Sequence, residues 1–376
     1  MSSGLEPNEI SEALRGLVSG EVFGKKHERA AYATDASPYE ILPLCVVLPK
    51  SVDDVVRVVR YAYKHRIPLI PRGGGSGLVG AAIGEGIVLD FTKYMRNVLS
   101  VDEHSIWCEP GIYRDNLEEI VNRTKGLSMP ADPSSSAYCT VGGMIGTNAS
   151  GAHSIKYGHT IDYLEAVDLV LYDGTIVQLS SVSLDGVEWE AIRREKEGPT
   201  TQRSRIYNQL FDLLRPDLGY IQSSMPKVSK NSAGYRLDKA IDEESRIFNP
   251  AKVVCGAEGT FGIVVRVKFR LIKRPGKKGF LLLRYDSYSE MGNAIPSITK
   301  FHPSAVELMD RGVIDAASKL NPSVKELNKG KLIAVIVEFD GTNEGEILEK
   351  LSALQREISI EKKNNKSDIV TDQEQI

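Results

Sequence analysis

The 376-residue chain has little cysteine and places none of it usefully for metal chemistry. Cys45, Cys108, Cys139 and Cys255 are far apart with no Cys-x-x-Cys, which excludes a locally built zinc site or iron–sulfur cluster. Most of them lie in apolar or small-residue runs, where a reduced, buried thiol is the expected state. A charge excess is also missing. Lys and Arg total 47 against 50 Asp and Glu, a formal net charge of −3, and no basic stripe is interleaved with aromatics, so nucleic acid is not an expected partner. No run of eighteen apolar residues occurs, and the opening MSSGLEPNEISEALRGLV lacks a basic segment followed by an apolar one. The expected location is cytoplasmic, peripheral to a membrane only through a partner. Of the six histidines, His153 and His159 lie six apart in a loop, which matches no ligand pair on one helical face; structural roles are expected for both, and no metal.

What the chain does have is glycine in clusters. The segment PRGGGSGLVGAA, residues 71–82, contains Gly75-x-Gly77-x-x-Gly80, the spacing of a dinucleotide fingerprint. That fingerprint needs a helix directly after the glycines, because the helix N-terminus holds the pyrophosphate. Here Gly84, Gly86 and the apolar run Ile87–Phe91 follow instead, so the glycines join two strands. The preceding stretch reads as a β-α-β unit. Leu44–Leu48 is a strand, and Ser51-x-x-Asp54 resembles a capping box. Val52, Val55, Val56, Val59 and Tyr63 form a helical stripe, and Ile67–Ile70 returns as a strand. The glycine loop leaves the C-terminal edge of that strand, where ligands of α/β sheets commonly sit.

Two further segments share this character. PADPSSSAYCTVGGMIGTNASG, 130–151, crowds hydroxyls and glycines where neither a helix nor an alternating strand is expected, and CGAEGTFGI, 255–263, precedes a strand. Three such loops far apart in sequence point to one long ligand contacted by main chain, with a phosphate pair at its centre held by backbone N–H groups and Arg72.

The rest reads as scaffold. Tyr113, Leu117, Ile120 and Val121 share a face of a second helix. Ala166–Tyr172 and Thr175–Leu179 form a hairpin with the two-residue turn Asp173-Gly174. Residues 181–250 look like a charged, irregular insertion with one or two surface helices. A strand alternates cleanly from Val264 to Ile272, and residues 274–279 have linker composition. Beyond them strands and helices alternate as in an α+β domain. The domains expected are a helical lead-in, 1–35; a ligand-binding domain, 36–276; and a second domain, 277–376.

The three motifs in this order resemble the FAD-linked oxidoreductases of the vanillyl-alcohol-oxidase (PCMH-type) superfamily, in particular the branch of D-lactate dehydrogenase and the glycolate oxidase large subunit. The likeness covers about residues 36 to 310. It implies an α+β fold in which a PCMH-type domain of two α+β subdomains holds FAD and a cap domain follows. Carried over by position, Pro71, Arg72, Gly73, Gly74, Gly75, Ser76, Gly77 and Leu78 form the pyrophosphate loop. Pro130, Asp132, Ser135 and Thr140 lie near the flavin ring, and Gly142, Gly143, Gly146, Thr147 and Asn148 run along the ribityl chain and diphosphate. Glu258, Gly262 and Ile263 close the far side. Asn231 and Tyr235, in a Gly-Tyr-x-Leu stretch, resemble residues on the substrate side. Covalent relatives carry histidine where Ser76 stands, so non-covalent FAD is expected.

The implied activity is oxidation of a D-2-hydroxy acid of the lactate or glycolate class to the 2-oxo acid. Electrons would pass to an iron–sulfur protein or a quinone-linked acceptor. Other members of the superfamily give two alternatives: a non-catalytic flavin subunit of a glycolate-oxidase-like complex, and an alkyl-glycerone-phosphate-synthase-like transferase. The family's usual base lies in a His-x-Gly-Asp-Gly-Asn segment that this sequence does not contain. The catalytic base is therefore unassigned, and a truncated cap, completed by further chain or by a separate polypeptide, is expected.

Overall fold

In a computed structural model, residues 6–195, 201–228, 230–322, 324, 330–361 and 367–371 are described. They form two compact units, one of Met1–Ser150 with His159–Ile272 and one of Gly151–Gly158 with Lys273–Ile376.

The β-α-β reading holds in the first unit. Strand Cys45–Leu48 is wholly buried. Ser51 caps helix Val52–His65 by accepting from the Asp54 N–H at 3.2 Å, and Arg66 ends it in the left-handed region at φ 54°. Strand Leu69–Arg72 then runs parallel to Ile87–Asp90, which also pairs in parallel with Cys45–Leu48. Tyr63 does not join the buried stripe: it is exposed and packs on Tyr172, while Ala62 takes the inward position. In helix Arg114–Lys125, Leu117 and Val121 are buried but Ile120 is not.

The first 35 residues are more than a lead-in. Helix Pro7–Arg15 buries Ile10 and Leu14, and Glu21–Phe23 pairs antiparallel with Val46–Leu48 as the edge of the first sheet. A three-residue strand is too short to show alternation in sequence.

A second sheet is antiparallel throughout, in the order Val98–Val101, Ser105–Cys108, Ile263–Arg270, Leu164–Val170, Ile176–Ser180. Ile263, Val265, Val267 and Phe269 are buried while Arg266 and Arg270 are exposed, as the alternation predicts. The hairpin loop differs from the expected two-residue turn. Leu171 donates to the Thr175 carbonyl at 2.9 Å around Gly174 at φ +80°, which leaves three residues in the loop, and Asp173 stabilises it by accepting from the Thr175 N–H. One apolar cluster joins Val47 and Leu89 of the first sheet, Val55 and Val58 of the helix, and Val170 and Val265 of the second sheet. Each such fully buried aliphatic side chain stabilises the fold by about 1.5–3 kcal/mol. The described residues between 181 and 250 are more ordered than the composition suggests. They form helices Val187–Arg194, Gln202–Leu214 and Leu218–Ser224, with Trp189, Tyr207 and Phe211 packed around Phe248.

The second unit is an antiparallel sheet ordered Ala305–Asp310, Ile333–Gly341, Lys277–Tyr285, Asp368–Val370, packed against helices Tyr288–Thr299 and Glu344–Glu361. Its core contains Leu281, Leu283, Val335, Val337 and Leu351. It comprises Lys273–Ile376, with its first strand beginning at Lys277, and Gly151–Gly158 from the middle of the chain.

Candidate cofactor cleft

All three glycine-rich segments converge within the first unit on one cleft with a cavity volume of about 190 Å³. Its walls are Pro71–Gly77 from the first loop; Ser135, Thr140, Gly142–Thr147 and Ala149 from the second; and Ala257–Gly259, Phe261 and Gly262 from the third. The glycines divide into two physical groups. At Gly73 an added Cβ would lie 2.1 Å from the Thr140 hydroxyl, at Gly74 1.8 Å from the Tyr138 carbonyl oxygen, and at Gly259 2.8 Å from the Pro71 ring. These positions are where the loops touch each other, and only glycine permits the approach. At Gly77 a Cβ would meet nothing within 4 Å, and at Gly146 its nearest neighbour is 3.9 Å away, so this part of the wall offers bare main chain to the open space.

The second loop contains a short helix, Val141–Thr147, where no helix was expected from sequence. Its glycines lower helix propensity by about 1 kcal/mol each, so tertiary contacts must supply the order. Thr140 caps it by accepting from the Gly143 N–H at 3.3 Å, and Asn148 ends it at φ 46°. The third loop is pinned to its far end: Gly256 donates to the Ile145 carbonyl at 2.8 Å and Glu258 to that of Gly146 at 3.0 Å. Glu258 is held at φ 49°, a conformation that costs a non-glycine residue roughly 1–2 kcal/mol.

The other residues singled out in sequence have different positions. Arg72 borders the cleft, but its guanidinium donates to the carbonyls of Thr34 at 2.9 Å and Ala82 at 3.1 Å and lies over the Tyr32 ring, so it braces the loop. Burial and the neighbouring Asp90, which accepts the Tyr32 hydroxyl proton at 2.9 Å, push the Tyr32 phenol well above its ordinary range. Leu78 projects into solvent, 72% exposed. Pro130, Asp132 and Ile263 are not among the lining residues. Asn148 is fully buried and accepts from the Ile161 N–H. Asn231 accepts from the Ala233 N–H. Tyr235 stands behind the third loop, its hydroxyl 2.9 Å from that of Thr260 and its ring 4.9 Å from Phe261. His159 is buried, and burial lowers its pKa; His153 belongs to the second unit. Sequence reasoning missed the apolar lining from Phe91, Met144 and Phe261. The last two were visible only as apolar residues inside glycine runs.

All four cysteines are buried, and desolvation raises their thiol pKa values, that of Cys45 to about 12, so none is poised as a thiolate. Among the described residues, no group of three or more His, Cys, Asp or Glu is arranged to hold a metal, and no helix is long and apolar enough to cross a membrane.

Residues 43–180 match a family described as an FAD binding domain, and residues 274–376 match the C-terminal domain of FAD linked oxidases. Over both segments the chain matches the FAD-linked oxidase superfamily. Similar curated proteins include a D-2-hydroxyglutarate dehydrogenase of Pseudomonas putida, 31% identical over 94% of this chain and 36% of its own length, and one of Escherichia coli, 29% identical over 92% and 35%. The glycolate oxidase subunit GlcD of Bacillus subtilis is 28% identical over 81% of this chain and 53% of its own length. The chain thus spans about a third of the length of the dehydrogenases. A solved alkyldihydroxyacetonephosphate synthase superposes on the whole chain, and on 67% of its own, with a TM-score of 0.68 and 19% identity, which shows the shared fold. FAD is the family's cofactor, and the cleft suits it: an open space with mostly apolar walls and uncovered main chain at Gly77 and Gly146.

Proposed function

We propose that this chain holds FAD non-covalently and serves in the oxidation of a D-2-hydroxy acid to the 2-oxo acid, with electrons passed to a separate acceptor. The observation that carries the proposal is the convergence of three distant loops on one cleft whose wall is exposed main chain. Gly77 and Gly146 would let the cofactor press against backbone, and the Thr140 and Thr147 hydroxyls beside them would serve its polar spine. Ser76, in place of the histidine of covalent relatives, leaves the cofactor dissociable. Bound FAD supplies a hydride acceptor. The protein's part is to hold it and exclude water, in a cleft with few charged side chains.

The names of the similar dehydrogenases favour a 2-hydroxy acid as substrate, and GlcD, named as a subunit, favours an assembly. The test is anaerobic. The FAD-loaded protein is mixed in turn with D-lactate, glycolate and D-2-hydroxyglutarate, and with the L enantiomers of the two chiral acids, while the visible flavin band is followed. Slow bleaching by at least one of the D acids or glycolate, but not by the L acids, is expected, since the family's usual base is not in this sequence. A yellow protein that none of them bleaches refutes catalysis by this chain alone, and a protein that never takes up FAD refutes the whole reading.

A further inference from the structure

The second cofactor loop ends at Ala149, which lines the cleft. Ala149 is also where an excursion of the chain closes, because its carbonyl accepts from both the N–H and the hydroxyl of Thr160, at 3.1 and 2.6 Å. Between these two residues, Gly151–Gly158 belongs to the second unit. Charge holds it there. Glu338 and Asp340 stand two apart on strand Ile333–Gly341, hence on one face, and both side chains are almost fully buried. Glu338 meets His153 Nε2 at 3.0 Å and Lys278 Nζ at 2.9 Å. Asp340 pairs with Lys156, accepts from the Tyr157 hydroxyl at 2.8 Å and accepts from the Ser304 hydroxyl. Burial alone would push both carboxyls up, but these donors outweigh it and hold both below their ordinary range, so they remain ionised. Three of the five donors, His153, Lys156 and Tyr157, come from the excursion.

We propose that Glu338 and Asp340 are positioning residues for the cofactor cleft: by clamping the 151–158 excursion they fix the exit of the Thr140–Ala149 loop, and so tune how tightly FAD is held. The inference rests on the FAD reading above. Its physical basis is the weakness of the helix Val141–Thr147, whose three glycines give it little order of its own. Such a segment depends on its anchors. Thr160 and the third loop pin its far end from within the first unit, and the excursion, which begins one residue after Ala149, adds to that anchoring, so loosening its grip reaches the cleft wall through a short stretch of chain.

The test compares FAD dissociation constants, from flavin fluorescence titration, for the full chain and for Glu338→Gln, Asp340→Asn and His153→Ala. Weakening of about two- to thirtyfold is expected for each, the range usual for coupling through a packed network. His153→Gln, which keeps a donor facing Glu338, should restore most of the affinity lost in His153→Ala. Asp286→Asn, an exposed carboxylate of the same unit that pairs with Lys331, should leave it unchanged. If a carboxylate variant fails to fold, Tyr157→Phe removes one donor from Asp340 while Lys156 and Ser304 remain, and should weaken FAD at the low end of that range. Folded variants with unaltered affinity overturn the inference and leave the FAD reading standing, as does equal loss in Asp286→Asn. A parent chain that does not bind FAD overturns both.

Discussion

Two glycines four residues apart in the first loop should fail on substitution for opposite reasons. At Gly77 the backbone is not in the left-handed region and a Cβ has no neighbour within 4 Å, so Gly77→Val places an isopropyl group in open space on the cleft wall. The apoprotein should fold at least as well as the parent, because replacing a glycine whose φ suits other residues stabilises by about 0.4–1 kcal/mol through the unfolded state. Binding should suffer. Forcing a ligand off a surface it packs against costs about 1–3 kcal/mol by analogy with overpacked cores, or about 5- to 150-fold in the FAD dissociation constant. At Gly73, by contrast, a Cβ would sit 2.1 Å from the Thr140 hydroxyl, the group that caps helix Val141–Thr147. Gly73→Ala must displace that cap, and a lost cap costs about 0.5–2 kcal/mol of stability even before FAD is added. Thermal melts of the apoproteins and FAD titrations of the same samples separate the two effects. A Gly77→Val protein that binds FAD as the parent does, or a Gly73→Ala protein with an unchanged melt, would refute the division of the loop into contact glycines and cleft glycines.

Other consequences follow from single residues. With serine at position 76, acid precipitation should leave all flavin in the supernatant, and colour remaining in the pellet would contradict a dissociable cofactor. Burial pushes the Asp238 carboxyl up, but the Arg236 fork, at 2.7 and 2.8 Å, outweighs it and holds the carboxyl below its ordinary value of 3.8. A depressed carboxylate contributes stability that is complete above its unfolded-state pKa and is lost as pH falls through the folded-state value. Asp238→Asn, which leaves a buried guanidinium without its charge partner, should therefore cost about 3 kcal/mol at neutral pH, read as a lower urea midpoint, and the gap to the parent should narrow in strong acid. Glu258→Gly should raise the apoprotein's midpoint by relieving a left-handed backbone strain of about 1 kcal/mol, and an unchanged or lower midpoint would show that the strain is not there.

How much of this molecule was legible in its sequence depended on the range of the forces involved. Local patterns were sufficient for the β-α-β unit, for the alternating strand Ile263–Arg270 and for the glycine loop's place between strands rather than before a helix, because side-chain period and backbone freedom are set within a few residues. They were also sufficient to nominate three loops for one ligand. They did not reveal helix Val141–Thr147, which its own glycines oppose and which contacts from distant loops hold in place. Nor could they show that Gly73 and Gly259 serve loop-to-loop contact while Gly77 faces the cleft, since one letter stands for both roles. Tyr63 and Leu78 looked like buried or ligand-facing residues, and only the packed structure turned them outward. One long-range feature, the clamp of Glu338 and Asp340 on His153, Lys156 and Tyr157, joins positions more than 180 residues apart. No local rule relates residues at that distance; burial in a shared sheet brings them together and makes their charges matter to one another.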